Sequence, residues 1–186
     1  MTSIPAPSAP AAARYTPVAI FLHWFLAVVI VAGFAIGLSM SDAPPSPARI
    51  RWINYHKWIG VTILWMSLLR LLWRFSHRPP SLPESMQPWQ KRATLWAHRA
   101  LYVFFFVVPV FGWAHSSALG FRTVYLGLIR LPDFVPKDKA LAEVLLDVHS
   151  TLAWTLATLV GLHVAAALKH HFVDKDGLLR RMWRAS

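Results

Sequence analysis

The chain has no cysteine. That excludes disulfides, iron–sulfur clusters, covalent c-type haem attachment and thiolate zinc sites. Acidic residues are also scarce, eight Asp and Glu against nineteen Lys and Arg. No carboxylate falls in the middle of a long apolar block and no His-Glu-x-x-His spacing occurs, so a zinc hydrolase site is not expected. The first residues lack a basic segment leading directly into an apolar core and cleavage site, so a cleaved signal peptide is not expected either. What the chain does have is apolar surface, 56% of its 186 residues, together with nine histidines and ten tryptophans. In a soluble protein the net charge of +11 would raise nucleic-acid binding. Here the charges lie outside the apolar blocks, where membrane topology accounts for them, and no nucleic-acid partner is expected.

The apolar residues come in four long blocks, at about 18–40, 52–73, 94–119 and 147–171. Each is long enough to cross a hydrocarbon core of about 30 Å as a helix. A Pro/Ala/Ser-rich tail over 1–14 reads as disordered, and residues 15–186 as a single four-span domain. Prolines 44, 45 and 47 suggest a short loop after the first block, and a basic, proline-rich loop is expected over 74–93. Residues 120–146 read as an extramembrane loop with an interfacial segment, and Pro109 marks a kink in the third block. No internal sequence repeat is visible. The expected fold is all-α, an integral membrane four-helix bundle with both termini on one side. That side carries twelve of the nineteen Lys/Arg and three acids, the other seven Lys/Arg and five acids. The positive-inside rule places the termini in the cytoplasm.

Ionisable residues inside a span are costly to bury and point to function. His149 and His163 are fourteen residues apart in the fourth block. At 1.5 Å per residue that is about 21 Å and nearly four turns, so the two imidazoles share one side of the helix at two depths. His56 matches the outer depth of His149; His23 and His98 both match the inner depth of His163. Two imidazoles facing each other at one depth, from different helices, are what a six-coordinate haem requires. Neutral histidine suits a low-dielectric site because it brings no charge. Gly33, Gly37, Gly60, Gly161 and Ala165 to Ala167 would let a flat macrocycle or a neighbouring helix approach closely. His77, His115 and His171 read as interfacial or structural. Depth alone leaves His23 and His98 both open for the inner site.

Several segments together carry a family resemblance. They are His23-Trp24, Tyr55-His56-Lys-Trp-Ile-Gly60, Arg70-Leu-Leu-Trp-Arg74, His98 through Pro109-Val-Phe-Gly112, and His149 with Gly161-Leu-His163-Val-Ala-Ala-Ala-Leu-Lys-His170-His171. The tail Asp174-Lys-Asp-Gly-Leu-Leu-Arg180-Arg-Met completes them. On these residues, spanning nearly all of 15–183, the chain resembles the bacterial cytochrome b561 family of di-haem, four-helix membrane proteins. More broadly it is similar to the cytochrome b subunits of nickel-iron hydrogenases and formate dehydrogenases. The resemblance implies two non-covalent haem b groups, with His23 and His163 on the inner iron and His56 and His149 on the outer. It implies a multi-pass protein of the bacterial inner membrane, in contact with lipid, that passes electrons and uses ubiquinone as acceptor. Arg70, Arg74, His98 and His170, with Lys169, are the quinone-site candidates, and the resemblance leaves His98 open as a residue that supports a haem ligand, a haem propionate or the quinone. Some family members are superoxide oxidases; Arg49, Arg51, Lys57, Arg122, Arg130, Lys137 and Lys139 on the outer side could steer such an anion. The other reading is an anchor subunit that passes electrons for a soluble dehydrogenase or hydrogenase partner.

Overall fold

The computed structural model describes residues 14–183, so the tail expected over 1–14 lies, apart from Arg14, outside the described residues. Four helices, α1 (Pro17–Ser41), α2 (Pro47–Ser76), α3 (Pro88–Ala118) and α4 (Lys139–Lys169), are each long and apolar enough to cross a membrane. They form the expected all-α bundle. The first and last described residues, Arg14 and Trp183, lie at one end of it, called proximal here; the opposite end is distal.

The helices begin earlier than apolar block length suggests, and the cause is local. Pro47 and Pro88, placed in loops by the sequence reading, are first-turn residues of α2 and α3. Proline is favoured there because the missing N–H would have no partner anyway. Ser46 caps α2 by accepting from the Arg49 N–H, and a capping box between Gln87 and Gln90 opens α3. Asp138 accepts from the Leu141 N–H and starts α4 eight residues before the expected 147. His149 is therefore almost three turns inside α4 rather than at its end, and His56 and His98 are similarly deeper in α2 and α3.

The expected loop over 120–146 holds the first turns of α4 and a small antiparallel hairpin, β1 (Val124–Tyr125) with β2 (Ile129–Arg130). Leu126 and Gly127 turn it with φ of 53° and 75°. It folds onto α2: the Trp58 indole N–H donates to the Val124 carbonyl at 2.7 Å, and Lys57 Nζ donates to the Phe121 carbonyl at 2.9 Å. At the proximal end, α4 runs on into a π-helical turn (His170–Asp174) and a short 3₁₀ turn (Leu179–Met182). This tail is tied back where Trp24 Nε1 donates to the Met182 carbonyl at 2.8 Å.

Helices α1 and α2 pack closely, as do α3 and α4, and α2 joins the two hairpins through α3. A core of Leu26, Ile30, Ile63, Leu101, Phe105, Val108 and Leu156 fills the middle of the bundle. Across the open side, α1 and α4 meet through side chains, with the Phe34 and Trp154 ring centres 5.0 Å apart.

Candidate functional site

Two groups of histidines face one another across the bundle. At the distal level His56 of α2 and His149 of α4 have ring centres 6.0 Å apart and planes 86° apart. At the proximal level His23 of α1 and His163 of α4 have centres 6.2 Å apart and planes 81° apart. A metal–imidazole bond is about 2.0 Å and the donor nitrogen lies about 1.1 Å from its ring centre, so two imidazoles in line on one metal stand about 6.2 Å apart. Both pairs meet that separation. His98 of α3 is also at the proximal level, but its ring centre is only 5.4 Å from that of His163.

The distal rings are aimed by the backbone. His56 Nδ1 donates to the Gly33 carbonyl and His149 Nδ1 to the Val108 carbonyl, each at 3.0 Å. A carbonyl can only accept, so each proton sits on Nδ1 and the Nε2 lone pair is left for a metal. Each ring also rests against a glycine one turn beyond its carbonyl. A Cβ on Gly37 would stand 3.1 Å from His56 Cε1, and one on Gly112 would stand 2.9 Å from His149 Cε1. The proximal rings are held differently. His98 Nδ1 donates to the Thr94 carbonyl of its own helix at 2.7 Å, while His23 Nδ1 is buried with no partner.

The glycines expected to open space divide by role. Gly37 cradles a ring, Gly33 admits Ile59 of α2, Gly60 faces Pro109, and Gly161 has nothing near it. Gly112 was missed. Its signal was available: His98 to Gly112 spans fourteen residues, as do His23 to Gly37 and His149 to His163.

Among the quinone-site candidates, Arg70, Arg74 and His98 line one proximal cavity with Tyr15, Trp73 and Tyr102. The Arg70 guanidinium lies 5.6 Å from the Tyr102 ring centre. His170 does not line that cavity; its Nδ1 is 2.6 Å from an Asp176 carboxylate oxygen. Lys169 is ion-paired with Asp174 at 2.7 Å. Of the seven distal cations, Lys57 is engaged by the Phe121 carbonyl, Arg49 Nε by the Met40 carbonyl at 3.0 Å, and Arg122 by Asp133 at 3.5 Å. Arg51, Arg130, Lys137 and Lys139 have no carboxylate partner among the described residues.

The donor set thus fits a planar group with two axial imidazoles at each level: neutral nitrogen ligands, a metal-spanning separation, and no carboxylate between them. The family model described as prokaryotic cytochrome b561 matches residues 14–185. "Cytochrome b561 homolog 2" of Escherichia coli (strain K12) is 32% identical over 173 residues, covering 91% of this chain and 90% of that one. "Cytochrome b561 homolog 1" of the same strain is 28% identical over 172 residues, covering 91% and 96%. "Probable superoxide oxidase CybB" of Yersinia pestis is 31% identical over 171 residues, covering 91% and 95%.

Proposed function

The chain belongs to the prokaryotic cytochrome b561 family, and we propose that it carries electrons across the bacterial inner membrane through two haem b groups, from periplasmic superoxide to ubiquinone. The single observation that carries the two-haem reading is the pair of imidazole couples, 6.0 and 6.2 Å across, on opposite sides of one bundle core. His56 and His149 would hold the distal haem, and His23 and His163 the proximal one. When bound, haem b supplies a one-electron Fe(III)/Fe(II) couple at each level.

The remaining work belongs to the chain. The Gly33 and Val108 carbonyls keep the distal Nε2 atoms deprotonated and aimed. Held by a histidine on each side, each haem would supply electron transfer rather than oxygen binding. The two α4 histidines are fourteen residues apart, about 21 Å along the helix, so the levels together span most of the hydrocarbon thickness. The positive-inside rule puts the proximal end in the cytoplasm and the distal level towards the periplasm.

On the distal side, Arg51, Arg130, Lys137 and Lys139 would attract a small anion. The reaction balances as two superoxide anions, one quinone and two protons giving two dioxygen molecules and one quinol. The name of the Yersinia pestis relative supports this donor. At the proximal end, Arg70 and Arg74 would bind quinone oxygens in the cavity that His98 also lines.

The test is a haem-to-protein ratio with redox titration on the purified protein, followed by superoxide-driven quinone reduction. Two b-type centres and turnover by the protein alone are expected. A colourless preparation refutes the haem reading. Two haems with no turnover would refute the superoxide assignment and favour the anchor-subunit role.

A further inference from the structure

The two hairpins repeat one pattern. In α1, His23 is followed after ten residues by Gly33, whose carbonyl accepts from His56 Nδ1, and after fourteen by Gly37 beneath that ring. In α3, His98 is followed after ten by Val108, whose carbonyl takes the His149 Nδ1 proton, and after fourteen by Gly112 beneath that ring. The second helix of each hairpin extends the match: His149 is followed after fourteen residues by His163, and His56 after fourteen by Arg70. His98 is thus to His163 what His23 is to Arg70.

Within this repeat the two proximal ligands stand apart, and His23 Nδ1 is buried with no partner. His56 and His149 each have a carbonyl on Nδ1, whereas no protein hydrogen bond to His163 is found among the described residues. A ligating imidazole almost always donates its second N–H to an acceptor, which fixes its rotation and raises its basicity. His98 is a candidate acceptor, its ring centre 5.4 Å from that of His163. Its own Nδ1 proton is committed to the Thr94 carbonyl at 2.7 Å, so its Nε2 carries a lone pair and can only accept. Two imidazoles joined in line by an N–H···N bond of about 2.9–3.0 Å have ring centres about 5.1–5.2 Å apart. His98 and His163 are at 5.4 Å with ring planes 83° apart, near that value though the two rings are not hydrogen-bonded in the structure, and short of the separation needed to share a metal.

We propose that His98 is the positioning residue of the proximal site: its Nε2 accepts the His163 Nδ1 proton, doing for His163 what a backbone carbonyl does for each distal ring. The inference rests on the reading that a haem occupies the proximal level. Because His98 also lines the cavity with Arg70 and Arg74, one imidazole touches both the ligand and the space beside it.

The acceptor makes the His163 imidazole a stronger donor and so favours the ferric state. Its removal raises the midpoint potential of the proximal haem. The experiment compares full-length wild type, His98→Leu and His98→Gln, each purified with haem and titrated spectroelectrochemically. The proximal haem is identified as the one lost in His23→Ala. His98→Leu is expected to shift the proximal Fe(III)/Fe(II) equilibrium about tenfold, or 59 mV upward for a one-electron couple, with the distal potential unmoved. His98→Gln places an amide oxygen near the Nε2 position and is expected to restore most of the shift. An unmoved potential in His98→Leu overturns the proposal, as does a Gln variant that behaves like Leu. Should Leu lose the proximal haem altogether, retention at the wild-type potential in Gln supports the proposal and loss in both overturns it. A wild-type protein with fewer than two haems shows instead that the underlying reading has failed, before any variant is made.

Discussion

Substituting Gly112 by alanine tests whether the distal site is built by close approach of helix to ring. The new Cβ would lie 2.9 Å from His149 Cε1, 3.1 Å from Nδ1 and 3.5 Å from Nε2. Ordinary contact needs about 0.5 Å more, and the ring cannot retreat without stretching its 3.0 Å bond to the Val108 carbonyl. Overpacking of this kind costs about 1–3 kcal/mol, and loss of the bond about 1 kcal/mol more. Disturbing the group that orients a metal ligand typically lowers affinity about 10–100-fold. The expected outcome is a distal haem affinity reduced by about that factor, read by titrating haem into the apoprotein and by reduced-minus-oxidised spectra, with the proximal haem retained. The glycine series supplies its own scale. Gly37→Ala, at 3.1 Å from His56 Cε1, should do the same to a smaller degree. Gly161→Ala meets no protein atom within 4 Å and should leave the distal haem intact. Full wild-type affinity in Gly112→Ala, or equal damage from Gly161→Ala, would refute the reasoning.

Three further outcomes are expected. His163→Ala should remove one haem and spare the other, by pyridine haemochrome assay; loss of both or of neither contradicts the pairing. Asp138→Ala removes the only side-chain cap seen at the start of α4 and should lower stability by about 1 kcal/mol in thermal unfolding, with haem spectra unchanged. Arg130→Glu together with Lys137→Glu should slow superoxide-driven reduction and flatten its dependence on ionic strength. Arg122→Gln, whose charge is already paired with Asp133, should change the rate less, and equal effects would count against steering.

The four spans and the two histidine depths were legible because each rests on a simple quantity, apolar length or rise per residue. The helix starts were not, for the same reason. Lys139, Glu143 and Asp147 make the first turns of α4 polar, so a reading guided by lipid solubility begins the helix only after them, although Asp138 caps it earlier. Pro47 falls in one expected loop and Pro88 in another, whereas at the first turn of a helix both initiate. Depth brought His23 and His98 equally close to His163; ring separations of 6.2 and 5.4 Å distinguish them. The carbonyls of Gly33 and Val108 have no sequence signature of their own, since every residue carries one. The repeat between hairpins escaped notice because only a few positions recur and Arg70 replaces the histidine that would have announced it.

The hydrogen bonds that aim the distal rings have a consequence for how the protein is made. His56 to Gly33 closes within α1 and α2, and His149 to Val108 within α3 and α4, each between helices consecutive in the chain. Both can form as soon as the second helix of a hairpin enters the bilayer, before the bundle closes. The couples His56–His149 and His23–His163, by contrast, join one hairpin to the other. Translation and insertion can therefore deliver two halves with their donors already turned inward, and a haem held by one histidine from each half would join them.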